Sequence, residues 1–204
     1  MKDWFKWFSP KENSEKRQIA KRIRKAGPLK IILGSGGLAA EDDWIEKDIN
    51  ILDVTEERHW RFLFRDRRAD NKFAEHVWEH LSLEQADFAN LNIYNFLKKG
   101  GKFRVAVPDG FKPNEAYINY VKPRGSGAGA DDHKVLYNYQ LLKYKLERIG
   151  FHVNLLEYWD ESGMFHYSDW DIVDGKVRRS SLFDKRNCCD KLKYTSLIAD
   201  AIKI

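Results

Sequence analysis

Residues 82–108 constrain the fold more than any other stretch. Ser82 followed by Gln85 has the reciprocal pattern of a capping box; Leu83, Ala86, Ala89, Ile93 and Leu97 recur at helical spacing; Gly100 stands where a helix stops. The run KFRVAV follows at once and reads as a buried strand, ended by Pro108, which has no N–H to give a ladder. Just upstream, NKFAEHV (71–77) reads as another strand. Parallel strands need a long crossover, usually a helix, so strand, helix and strand in direct succession imply a parallel pair.

The same alternation continues on both sides. LKIIL (29–33) reads as the first buried strand, WIEKDI (44–49) as the second and NILDV (50–54) as a short third, with a helical turn over TEERHWRFLF. Val135, Tyr139, Leu142, Leu146 and Ile149 mark an amphipathic helix ending at Gly150. FHVNLLEYW then reads as a strand, DESG as a turn, and the segment around Asp174-Gly175 as a hairpin. The expected fold is α/β, a Rossmann-like, mostly parallel sheet flanked by helices, with an antiparallel C-terminal edge hairpin. Residues 109–131 are rich in Gly and Pro and long for a connection, which suits a lid over a site or a slack loop.

The chain has 204 residues, enough for one domain over residues 29–204, and its formal charge of +5 is unevenly spread. Residues 1–30 hold ten Lys or Arg against Asp3, Glu12 and Glu15, a local +7, so the remainder carries −2. Residues 1–28 therefore read as a basic aromatic arm, with Trp4, Phe5, Trp7 and Phe8 among lysines. Such rings either pack on the domain or, through residues 1–25, make a peripheral membrane contact. A basic arm on a nearly neutral body argues against a nucleic-acid footprint over the whole protein. No apolar run approaches a membrane span, no secretory leader is evident, and the only cysteines, Cys188 and Cys189, are adjacent, so a reducing cytoplasmic setting is expected.

Gly34 and Gly36 follow the first strand directly, at the strand end where open parallel sheets bind ligands, and Asp48 ends the second, placed to accept ribose hydroxyls. No Gly-Lys-Ser/Thr follows, which excludes a P-loop. The dinucleotide fingerprint fits poorly as well. Asp48 comes fourteen residues after Gly34, where the fingerprint expects about twenty and a helix to hold a pyrophosphate. A nucleoside without a pyrophosphate suits this gap better.

The succession LGSGG, WIEKDI, LDVT, AEHVWEHLS and LKKGGKFRVAVPDG resembles class I S-adenosylmethionine-dependent methyltransferases, especially their compact, type 11-like branch, over residues 29–110. The resemblance implies S-adenosylmethionine as cofactor. It places Gly34, Ser35 and Gly36 against the methionine moiety, Asp48 at the ribose, Asp53 at the adenine amine and His76 at the pocket border. Glu79 and His80 correspond to the family's Glu-His pair, which supports the loop. It also suggests a small-molecule or saccharide acceptor, with surface polysaccharide synthesis as one setting.

Methyl transfer from a sulfonium chiefly requires alignment and exclusion of water. A hydroxyl acceptor also needs a base, for which His133 and Asp109 are the candidates, each with a capping or solvated alternative. Arg178 and Arg179 can hold a substrate phosphate or carboxylate, or form a solvated face. His76 and His80 are four apart as in zinc motifs, but the His-Glu-x-x-His order is absent, and no metal is expected. The alternatives to a methyltransferase enzyme are a non-catalytic scaffold of the same fold and a nucleic-acid methyltransferase.

Overall fold

The computed structural model describes residues 10–34, 43–47, 51–188 and 192–204, with the side chains of residues 10–13 excepted. In chain order the elements are α1 (Pro10–Ile23), β1 (Lys30–Leu33), β2 (Trp44–Lys47), α2 (Glu57–Phe64), β3 (Ala69–Glu75), α3 (Leu83–Asn95), β4 (Leu97–Pro108), α4 (Glu115–Val121), α5 (Tyr139–Glu147), β5 (Phe151–Trp159), β6 (Phe165–Tyr167) and β7 (Ser196–Lys203). The strands form one sheet in the order β2-β1-β3-β4-β7-β5-β6. β2, β1, β3 and β4 are parallel; β7 is antiparallel to both β4 and β5, so β5 shares the direction of the first four. β6 folds back on β5 as the edge hairpin.

The crossover from β3 to β4 forms as its sequence dictates. Ser82 Oγ accepts the Gln85 N–H and Gln85 Oε1 accepts the Ser82 N–H, satisfying two donors that a helix start leaves orphaned. The helix stops at Asn95, before Gly100, because Leu97 is fully buried as a strand residue paired with Ala69. Lys72, inside β3, is also fully buried. Its ammonium donates to Ile93 O at 2.9 Å, near the end of α3, and lies 4.3 Å from the Trp60 ring centre. That carbonyl and the ring faces stand in for water around the amine, whose pKa burial pushes well below the usual lysine value, with Lys203 and Arg68 adding to the shift.

The larger core lies on one sheet face, where Ile31, Leu33, Trp60, Phe64, Ile93, Phe103, Val105 and Leu146 interlock. Ile19, Ala20 and Ile23 of α1 belong to it, and Arg24 donates to the carbonyls of Phe62 and Leu63 at the end of α2. The opposite face is covered by the segment 168–186 over Trp44, Phe73, Ala106, Leu156 and Ile198. Arg104 fixes that cover. Its fully buried guanidinium grips Asp200 bidentately at 2.8 and 2.9 Å and donates to Asp171 O and Gly175 O at 2.6 and 2.8 Å.

Three expectations change. Residues 51–54, expected as a third strand, form a turn into α2 that buries Ile51, Leu52 and Val54 without joining the ladder. Asp174-Gly175 closes a 3-10 turn (Ile172–Asp174) and forms no hairpin: the Lys102 and Asn71 side chains bond the Asp174 carboxylate, and Gly175 comes so close to Phe73 that a Cβ would meet Cγ at 2.8 Å. The hairpin instead turns at Asp160–Gly163, where Asp160 Oδ1 accepts from the N–H groups of Ser162 and Met164. The excursion after Pro108 is partly helical, with α4 capped by Asn114 and a 3-10 turn over Ala130–Asp132. A bridge from Asp109 to Tyr137 closes its base.

Candidate functional site

The parallel strands end together at Leu33, Lys47, Glu75 and Pro108, and that edge collects the candidate residues. Gly34 has a φ of 65°, and a β-carbon there would lie 2.4 Å from Val77 Cγ2, so the chain leaving β1 presses on the loop leaving β3. Ser35, Gly36 and Asp48 lie outside the described residues. Asp53 N–H donates to His59 Nδ1, and its Oδ1 accepts from the Thr55 N–H and hydroxyl at 2.9 and 2.7 Å, which shapes the turn before α2.

His76 sits just past β3 with a φ of 56°, left-handed backbone that a non-glycine residue adopts at a cost, concentrated where packing over-determines it. Its N–H donates to Ala106 O, its Nε2 lies 2.9 Å from Ser196 Oγ, and its Nδ1 lies 3.0 Å from Glu79 Oε1. Glu79 is fully buried, and neither of its carboxylate oxygens completes a well-aligned hydrogen bond. Burial pushes its carboxyl up, but the charge and hydrogen bonding of His76, with His80 beyond, outweigh that and hold it below the usual range.

The excursion between β4 and α5 packs its far end against this carboxylate. Glu79 O accepts the N–H groups of Lys134 and Val135 at 2.7 and 3.2 Å, which seats His133 beside it. His133 Nδ1 lies 2.7 Å from Val121 O, and its Nε2 lies 4.0 Å from Glu79 Oε1. A carbonyl only accepts, so Nδ1 carries a proton, and in the neutral ring the lone pair is on Nε2. His80 stands edge-on to His133, ring centres 4.7 Å apart, with Nδ1 3.2 Å from Asp132 Oδ2. The buried Tyr137 hydroxyl has no partner among the described residues, and burial raises its pKa, with Glu79 and Asp87 adding to the shift.

Asp109 is placed differently. Its Oδ1 accepts the Phe111 N–H at 3.0 Å, shaping the turn after β4, and its Oδ2 accepts the Trp159 N–H at 2.8 Å, tying that turn to the end of β5. Burial raises its pKa to about 6 against those two donors and Lys112. Lys112, its neighbour, is lowered to about 8 by burial, and donates to Leu192 O at 2.8 Å.

Arg178 and Arg179 line a cavity of about 590 Å³ between Ile32, Trp44 and Phe73 on the sheet and Lys176, Phe183, Lys185 and Arg186 on the cover. The Arg179 N–H donates to Glu75 Oε1 at 2.8 Å. Arg186 is held by Asp184 and lies 3.7 Å from the Tyr194 ring centre; Tyr194 in turn faces His76 at 6.1 Å. A basic, aromatic cavity and a histidine–carboxylate cluster thus adjoin through one tyrosine. The structure brings together Gly34, His76 and His133 around the 76–80 loop and gathers Arg178 and Arg179 in the cavity, whereas Asp53 serves a local turn and Asp109 joins the turn after β4 to β5. Sequence spacing shows neither that Glu79 is the buried centre nor that Ser196 and Tyr194 reach the adjoining His76 from β7 and the residues before it; only the Glu79-His80 dipeptide hinted at the former.

No family model matches the chain, and no curated protein does. Solved structures do match. A SAM-dependent methyltransferase from Archaeoglobus fulgidus is 17% identical with a TM-score of 0.53, covering 94% of this chain and 93% of its own. One from Thermotoga maritima is 11% identical with a TM-score of 0.53, covering 95% and 89%. An O-methyltransferase family protein from Burkholderia thailandensis is 7% identical with a TM-score of 0.50, covering 94% of this chain and 58% of its own. The fold is the one these methyltransferases share.

Proposed function

We propose that this chain, built on the methyltransferase fold, is an S-adenosylmethionine-dependent methyltransferase whose acceptor is a small molecule or saccharide bearing a phosphate or carboxylate. The observation that carries this reading is the convergence of the Gly34 bend and the His76–Glu79–His133 cluster on the carboxyl edge of the parallel strands, the side on which such sheets bind ligands. The cofactor supplies an electrophilic methyl group. Gly34, Ser35 and Gly36 would border its methionine end, Asp48 its ribose, Asp53 its adenine and His76 the pocket wall.

The acceptor's anion would enter the cavity, where Arg178 and Arg179 offer the forked donors that match phosphate and carboxylate. Bound at the strand edge, the cofactor would supply its methyl group to the acceptor oxygen and would leave as the thioether, while the chain's own residues align the acceptor and take its proton. The hydroxyl proton passes to His133 Nε2, whose lone pair is set by the Val121 carbonyl and whose developing charge faces Glu79. Asp109 would act at a distance from this chemistry, by tying β4 to β5.

Release of S-adenosylhomocysteine from S-adenosylmethionine, with an acceptor heavier by one methylene, tests the reading across a panel of uronates and sugar phosphates. Replacing Arg178 and Arg179 together by Ala should raise KM for the acceptor at least tenfold and leave kcat nearly unchanged. Equal KM in wild type and double variant would remove the arginines from acceptor binding, and turnover of neutral saccharides alone would refute the anionic acceptor.

A further inference from the structure

Glu79, His80 and His133 each direct one ligating atom toward the others, and those three atoms lie within 4.8 Å of one another. The protons around them are already allotted. Val121 O accepts from Nδ1–H of His133 and Asp132 from that of His80, so each ring, when neutral, presents its lone pair on Nε2. Glu79 is fully buried with both oxygens lacking an aligned donor. His76 Nδ1, 3.0 Å from Oε1, offsets part of the cost of burying that carboxylate, and the two imidazoles that face it leave a place where a cation completes the cluster.

We propose that Glu79, His80 and His133 bind a divalent transition cation such as Zn2+. Two imidazoles and one carboxylate form a donor set used for zinc with an open position, and imidazole nitrogen disfavours Mg2+ and Ca2+. The remaining contacts fit the role of supports: a ligating histidine gives its other N–H to a carbonyl or carboxylate, which Val121 O and Asp132 provide, and His76 stands 3.0 Å behind Glu79 Oε1. Zinc bonds of about 2.0–2.1 Å put tetrahedral ligands roughly 3.3 Å apart, so the three atoms must close up modestly. His80 supplies that movement, because its side chain is 32% exposed and ends a 3-10 turn. The sequence suggested no metal because His76 and His80 were the pair in view; the histidine that completes the set comes from beyond α4.

The proposal deepens the methyltransferase reading, since a cation there would bind an acceptor oxygen and ease loss of its proton, taking over the task given to the bare His133 lone pair. Its test does not depend on turnover. Untagged full-length protein, stripped with chelator, is titrated with Co2+ while the visible d–d bands are followed, and with Zn2+ by calorimetry. One equivalent of each is expected, with affinity reduced at least tenfold in His80→Asn and in His133→Gln, and unchanged in His166→Asn and Cys188→Ser. Circular dichroism checks folding; if His133→Gln does not fold, the partly exposed His80→Asn decides alone. Absence of d–d bands with no saturable Zn2+ binding, or binding that survives His80→Asn, would overturn the site. Loss of the metal site leaves S-adenosylhomocysteine binding intact, and failure of that binding leaves the metal titration unaffected, so the two readings fail separately.

Discussion

A β-carbon on Gly34 would meet Val77 Cγ2 at 2.4 Å, and the φ of 65° there is itself unfavourable for an L side chain. Gly34→Ala should therefore destabilise the protein by about 1–3 kcal/mol, and Val77→Ala in the same chain should restore part of the loss. Urea unfolding of the single and double variants measures both, and an unchanged midpoint in Gly34→Ala would remove the close contact between the β1 and β3 loops. Asp109 gives a second prediction. Its pKa is raised from 3.8 to about 6, so its favourable contribution is whole below pH 3.8 and is lost as pH rises through about 6. Wild type should lose up to about 3 kcal/mol across that window relative to Asp109→Asn, which does not titrate there. Parallel pH–stability curves would contradict the buried carboxyl. At this scale the sequence showed which residue types were present but not their partners: His133 and Asp109 were both candidate bases, the case for Asp109 already the weaker, and the structure sets one against a buried carboxylate and the other between two backbone donors.

Among the elements, the Arg104–Asp200 pair links β4 to β7 and holds the cover segment through Asp171 O and Gly175 O. Arg104→Met should cost about 3 kcal/mol, because it leaves the buried Asp200 with only Lys102, 3.4 Å away, as counter-charge. It should also expose residues 168–186 to limited proteolysis before the rest of the chain. Cleavage that begins elsewhere would separate the cover from this ion pair. The elements most legible in the sequence were those whose signals are local: the Ser82–Gln85 cap, the run KFRVAV, and the apolar spacing of α5. The errors arose where tertiary partners decide. Residues 51–54 have strand-like composition but spend it on the core, and Asp174-Gly175 has turn chemistry but is recruited by Lys102, Asn71 and Arg104 into a cap over the sheet.

For the whole molecule, the topology places every parallel strand's carboxyl end on one edge, and there Gly34 and the loops after β3 and β4 meet. The sequence made that edge predictable, since strand–helix–strand order fixes direction. The cavity under the cover was not predictable, because it depends on how residues 175–186 lie across Ile32, Trp44 and Phe73. No helix among the described residues is long and apolar enough to cross a membrane. On the proposed function the strand edge holds the nucleoside of S-adenosylmethionine. Calorimetric titration of the full chain with S-adenosylhomocysteine should then show saturable binding at one site, abolished by Asp48→Ala in a protein that still melts cooperatively. Absence of binding by the folded wild type, or undiminished binding by Asp48→Ala, would contradict it.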